Sequence, residues 1–141
     1  MPGQKSGLLI YGEQRGCAVA DLDNDGRLDL AVTQNNAPTK LYLNRQAAPG
    51  LRIHLRGPPE NILGIGAIVR TGRAGSWGPA RELHAGAGYW SMDSSTAVMS
   101  LAAAPDQIQV QWPGGKTTSS PIPAQAKEIE VFLSGEVRKL R

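Results

Sequence analysis

Gln107-Ile108-Gln109-Val110-Gln111-Trp112-Pro113-Gly114-Gly115 decides the fold class of this 141-residue chain. Ile108, Val110 and Trp112 share one face and three glutamines share the other, the two-residue period of a half-buried strand. Pro113-Gly114-Gly115 ends the strand in a turn, and residues 116–119 pair back. Working outward, residues 128–133 alternate through Val131. Upstream, Leu51, Ile53 and Leu55 face a core while Arg52, His54 and Arg56 face water. Gly57-Pro58-Pro59 closes that strand. Residues 65–71 read as the next strand, 72–78 as a hairpin loop around Trp77, and 80–84 as its return. A glycine-opened bend, Gly86-Ala87-Gly88-Tyr89-Trp90, precedes a further apolar run at 96–101. Trp90 and Trp112 are expected in the core, and Trp77 in an exposed loop.

The first third of the chain reads as a separate block. Short strands are expected at residues 8–11, 17–20, 28–33 and 40–44, with a turn cluster at 34–38. Residues 46–50 form the joint to the second block. Gly (17) and Pro (10) are scattered along the chain, and no segment sustains a 3.6-residue period. The expectation is an all-β protein, an antiparallel β-sandwich with little helix.

Composition narrows the function classes. Hydrophobic residues make up 40%, enough for a packed core, and no apolar run is long enough for a membrane span. Aromatics are 5%, too few for a single-stranded nucleic-acid stacking platform. One cysteine, Cys17, excludes an intrachain disulfide, and its apolar neighbours predict burial. The N-terminal residues lack the apolar core of a signal peptide, and the abrupt start favours a piece of a longer precursor. The net charge of +3 averages two unlike parts. Four acids, Asp21, Asp23, Asp25 and Asp29, fall within nine residues, and the rest of the chain is basic.

That acidic segment, Asp21-Leu22-Asp23-Asn24-Asp25-Gly26-Arg27-Leu28-Asp29, carries the strongest chemical signal. Four carboxylates crowded into one loop repel each other unless a cation neutralises them. Calcium suits the arrangement, since it takes 6–8 oxygens in a flexible cage, and magnesium suits it less. Gly26 at the sixth position permits a sharp turn at positive φ. Arg27 would present its backbone carbonyl, with its side chain pointing outward. An EF-hand needs a glutamate at the twelfth position, where this chain has Val32. Asp29 would close the cage instead, in a β-hairpin loop between strand-like flanks.

Residues 18–32, from Ala18-Val19-Ala20 through the acidic loop to Leu30-Ala31-Val32, resemble the FG-GAP/VCBS repeat of integrin-α-type β-propellers. The resemblance spans roughly residues 8–45. It implies Asp21, Asp23, Asp25, the Arg27 carbonyl and Asp29 as calcium ligands. The remainder resembles the ASPIC/UnbV domain of cartilage-acidic-protein-like proteins, over roughly residues 51–131. The residues that carry this are Leu51-Arg52-Ile53-His54-Leu55, Gly64-Ile65-Gly66-Ala67-Ile68-Val69, Glu82-Leu83-His84-Ala85-Gly86-Ala87-Gly88-Tyr89-Trp90-Ser91 and Ile108 to Lys116. This resemblance implies an extracellular or periplasmic parent protein, an interaction role and no known catalysis.

The domain reading is therefore a partial repeat at 1–46, a sandwich at 51–133 and a tail at 134–141. One repeat cannot close a propeller, so the first block is expected to pack on the sandwich or to pair through strand edges with another copy. His84, Ser91 and Asp93 lack the frame of a nucleophile elbow, and no enzyme is expected. His54 is expected on a wet face. Arg52, Arg56, Arg70, Arg73 and Arg81 are candidates for one basic sheet face. The expected function is a non-enzymatic, calcium-binding adhesion or interaction module whose partner is a protein or glycan. The alternative is a carbohydrate- or anionic-polymer-binding sandwich, using Arg52, Arg56, Arg81, Trp77 and Tyr89. Nucleic acid is disfavoured, because no recognition motif accompanies the charge.

Overall fold

Leu51, Ile53 and Leu55 are all buried in a computed structural model of the chain, as their alternation requires. Residues 3–73, 75–102 and 104–141 are described. In the first block they form α1 (Gly3–Ser6), β1 (Gln14–Ala20), β2 (Asp29–Gln34) and β3 (Ala37–Tyr42). The second block holds β4 (Leu51–Arg56), a 3-10 turn (Pro59–Asn61), β5 (Ile68–Arg73), β6 (Ser76–Trp77), β7 (Arg81–Glu82) and β8 (Ala97–Met99). It ends with β9 (Gln107–Gln111), β10 (Thr117–Pro121), β11 (Glu128–Phe132) and β12 (Val137–Lys139). The chain is all-β with almost no helix. No described helix is long and apolar enough to cross a membrane. Residues 8–11, expected as a strand, are irregular.

Three sheets result. The first is β1-β2-β3, the second β10-β9-β5-β6 with β7 also on β5, and the third β12-β11-β4-β8. The second and third form the open sandwich. Leu51, Ile53, Leu55, Ile129 and Val131 of one sheet pack into a core with Val69, Ile108 and Val110 of the other and Trp112 just beyond it. Burying each such side chain fully stabilises the fold by about 1.5–3 kcal/mol. Trp112 donates its indole N–H to Thr118 Oγ1 at 3.0 Å, so its one polar atom is satisfied in the core. The turn between β9 and β10 holds Gly114 and Gly115 at φ 87° and 91°. These left-handed values suit glycine and close the hairpin that the sequence announces.

The sandwich departs from the expected antiparallel plan in one pair. β4 and β11 run parallel, with Arg52 beside Glu128 and His54 beside Glu130. The connection between them crosses the other sheet, which lets the chain return in the same direction. Residues 134–141, expected as a tail, supply the edge strand β12, antiparallel to β11. Trp90, expected in the core, is 88% exposed and stacks on Tyr89 with ring centroids 5.8 Å apart.

The first block is an antiparallel three-stranded sheet that packs on the sandwich. Val19 N–H donates to Asp93 Oδ1 at 2.8 Å, and Ser94 N–H to the Val19 carbonyl at 3.0 Å. Gly50 N–H donates to the Gly26 carbonyl at 2.7 Å, and Arg141 to the Asn24 carbonyl at 2.9 Å. Cys17, expected to be buried, is exposed, because the strand that carries it is an edge of this small sheet.

Candidate metal loop and the charged sheet face

The acidic loop joins β1 to β2, whose register brings Ala20 opposite Asp29. Local backbone geometry orients its carboxylates. Asp21 Oδ1 accepts the Asp25 N–H at 3.0 Å, and Asp21 Oδ2 accepts the Gly26 N–H at 2.9 Å. Asp29 is buried, with Oδ2 accepting the Leu22 N–H and Oδ1 the Asn44 N–H, each at 2.8 Å. Gly26 adopts φ 85°, as expected. A Cβ there would lie 3.0 Å from the Gly50 carbonyl oxygen, so glycine also permits the close approach of the joint.

Carboxylate oxygens of Asp21, Asp23 and Asp29 lie within 4.8 Å of one another. That spacing fits one cation, and each carboxylate oxygen that accepts a single N–H retains a lone pair for it. Asp25 and the Arg27 side chain are arranged differently from the expectation. Asp25 is absent from the cluster, and its Oδ2 takes the Arg27 guanidinium at 2.6 Å. Burial raises the Asp25 pKa, but hydrogen bonds and charge from Arg27, then Arg45, outweigh it and hold the value below the usual range. The Arg27 side chain, expected outward, folds back onto Asp25 and the Ala47 carbonyl. Arg45 reaches Asp23 Oδ2 at 2.8 Å.

Beneath the loop lies the outward face of the β4 sheet. Arg52 was expected in water and is buried instead. Its Nε lies 3.3 Å from Asp21 Oδ2 and 3.7 Å from Glu128 Oε1, without a hydrogen-bond partner. His54, expected on a wet face, is half-buried, with Nε2 2.7 Å from Glu128 Oε1 and Nδ1 3.3 Å from Thr96 Oγ1. Burial raises the Glu128 pKa, but the His54 hydrogen bond and the charges of Arg52, His54 and Arg141 lower it on balance. Glu130 is buried between Arg138 and Arg56, whose hydrogen bonds lower its pKa against the opposing effect of burial. Charges of both signs thus form a ladder across β4, β11 and β12.

The single basic face does not form. Arg52 and Arg56 lie on β4 and are paired with acids, whereas Arg70, Arg73 and Arg81 belong to the opposite sheet. Arg81 and Trp77 line one groove, while Tyr89 is 64% exposed on the 86–92 bend. Asp93, weighed as a triad member, accepts the Val19 N–H, and His84 faces Glu82 at 3.5 Å. Sequence reasoning missed Glu128, Glu130 and Arg141. The alternation of Glu128-Ile129-Glu130 marks a polar face, but its partners emerge only from the parallel pairing.

Fold and site together define an all-β sandwich with an acid-lined hairpin loop docked on a charged sheet face. Residues 57–131, just over half of the chain, match the family model described as ASPIC and UnbV, and the chain belongs to that family. No curated protein matches it.

Proposed function

We propose that this chain is a non-enzymatic, calcium-stabilised adhesion or interaction module from an extracellular or periplasmic protein. The observation that carries the reading is the convergence of Asp21, Asp23 and Asp29 carboxylates within 4.8 Å on a loop preset by its own backbone. Asp21, Asp23 and Asp29 would hold the ion, with Asp25 joining once Arg27 swings away. The bound ion would supply positive charge that removes the repulsion among the acids. It would also tie the first sheet to the sandwich, because the same loop contacts Gly50, Arg52 and Arg141.

Residues 8–45 would be one FG-GAP/VCBS-type unit. Support comes from its strand–acidic loop–strand form and from Leu41 and Leu43, which are 63% and 44% exposed. Exposed apolar residues beside open strand edges suit contact with a neighbouring unit, a partner protein or a second copy. Calorimetry with calcium and with EDTA tests the ion. Calcium should raise the Tm, and Asp23→Ala should abolish the difference. Equal Tm values for the unmodified chain in the two buffers would refute the calcium reading.

A further inference from the structure

Strand alternation gives the β10-β9-β5-β6 sheet a second face, turned away from the core. The register assigns its residues. Gln111 stands beside Thr117 and Ile68, Gln109 beside Ser119 and Arg70, and Gln107 beside Pro121 and Gly72. Trp77 is the cross-strand partner of Gly72 and shares this face. Their neighbours Ile108, Val110, Val69 and Thr71 point the other way and are buried.

Side-chain contacts agree with the register. Gln109 Nε2 donates to Ser119 Oγ at 3.3 Å across the β9–β10 pair. A Cβ on Gly72 would lie 2.6 Å from Trp77 Cε3 and 3.1 Å from Cδ2. A strand Cβ points off the sheet, so the indole leans across the strand pair onto the bare backbone of Gly72. An aromatic ring is thereby fixed on the outer surface before any ligand arrives.

The chemistry of the face is uniform. Gln107, Gln111, Thr117 and Ser119 are exposed, and each amide offers both donors and an acceptor. Among the described residues, the register puts two charged side chains here, exposed Arg70 and exposed Glu82, one of each sign. Arg70 has no carboxylate partner among the described residues. The outer face of the other sheet is the opposite case, a ladder of paired charges from Arg52 to Arg138. A face of amides and hydroxyls with no net charge is complementary to a neutral, hydroxyl-rich ligand. Strands about 4.8 Å apart and rows about 7 Å apart make it about 14 Å across each way, room for about three sugar rings in line.

We infer that this face binds a neutral glycan, an extended β-linked hexose chain laid across it. The C–H face of one ring rests on Trp77. Hydroxyls of the adjoining rings meet the amides of Gln107, Gln109 and Gln111 and the guanidinium of Arg70. An extended chain suits an open sheet face, which has no wall to enclose a coil. The assignment rests on the interaction role proposed above and supplies its partner, and it needs no calcium.

The test uses the full chain, with β-linked cellohexaose and mannohexaose as probes and α-linked maltohexaose and a heparin hexasaccharide as comparisons. Binding is read in EDTA, which separates the result from the calcium reading. At millimolar concentration, at least one β-linked probe should move the side-chain amide signals of Gln107, Gln109 and Gln111 and the Trp77 indole N–H. Signals of segments 21–29 and 86–92 should stay still, and the affinity should not change with salt. Isothermal titration should show about fivefold or greater weakening in the double variant Gln109→Ala/Gln111→Ala, since each lost neutral hydrogen bond weakens binding about 2- to 10-fold. Trp77→Ala should weaken it further, and Trp90→Ala, on the exposed bend, should bind as the unmodified chain. The double variant lies on the surface and keeps the test decisive if Trp77→Ala fails to fold. No shifts with either β-linked probe, equal or tighter binding of maltohexaose or of the heparin hexasaccharide, unchanged affinity in the double variant, or loss of binding in Trp90→Ala would each overturn the assignment.

Discussion

Arg52→Met is the most informative perturbation of the junction between loop and sandwich. The substitution keeps much of the side chain's length and apolar stem and removes the charge. In the native chain the Arg52 side chain is 9% exposed and the Asp21 side chain 1%, with Nε 3.3 Å from Asp21 Oδ2. At that separation two unit charges attract by about 5 kcal/mol at an effective dielectric of 20. Desolvation of both groups offsets part of this. Removing one member of a buried pair typically destabilises by about 3–5 kcal/mol, because the other charge stays buried. Asp21 keeps two backbone N–H donors, and Glu128 keeps His54 and Arg141, so the lower end, about 3 kcal/mol, is expected. For a chain of this size that is a Tm decrease of about 10 °C. Urea unfolding in EDTA at pH 7 measures it. The same loss in an Asp21→Asn background should shrink, and calcium should shrink it as well, because the ion takes over neutralisation of Asp21. A loss below about 1 kcal/mol in EDTA, in the range of surface pairs, would refute the claim that this pair ties the two blocks together.

Three further outcomes follow from the geometry. Glu130 has a lowered folded-state pKa, so its stabilisation is complete above the ordinary glutamate range and is lost as pH falls through the lowered value. Acid unfolding followed by tryptophan fluorescence should therefore show a shallower pH dependence over that window in Glu130→Gln than in the unmodified chain. Gly26→Ala meets both a positive φ and the Gly50 carbonyl, and should destabilise by about 1–3 kcal/mol in thermal unfolding. Cys17 should react with Ellman's reagent in the native state without denaturant, since it is exposed, and a thiol that reacts only in urea would contradict its placement.

The acidic loop was legible because its instructions are local. Asp21 accepts the Asp25 and Gly26 N–H groups and Asp29 that of Leu22, all inside the loop, with the Asn44 N–H added across the sheet, so the spacing and the hairpin register account for most of the convergence of Asp21, Asp23 and Asp29. Asp25 defeats the same reasoning. Its carboxylate is two residues from Arg27 and near Arg45, and a guanidinium competes with the cluster for it.

The strands themselves were determined by the sequence. Period-two alternation at residues 51–56 and 107–112, with Gly and Pro at the ends, leaves the backbone one amphipathic solution, and the core of Ile53, Ile108, Val110 and Ile129 follows. Alternation is blind to strand direction and to what covers the polar face. Only the tertiary structure made β4 and β11 parallel, set Glu128 beside Arg52, and brought the acidic loop down upon it. Arg52 has the local pattern of a solvated residue. It is buried because an element some thirty residues upstream needs its charge, and no local period encodes that.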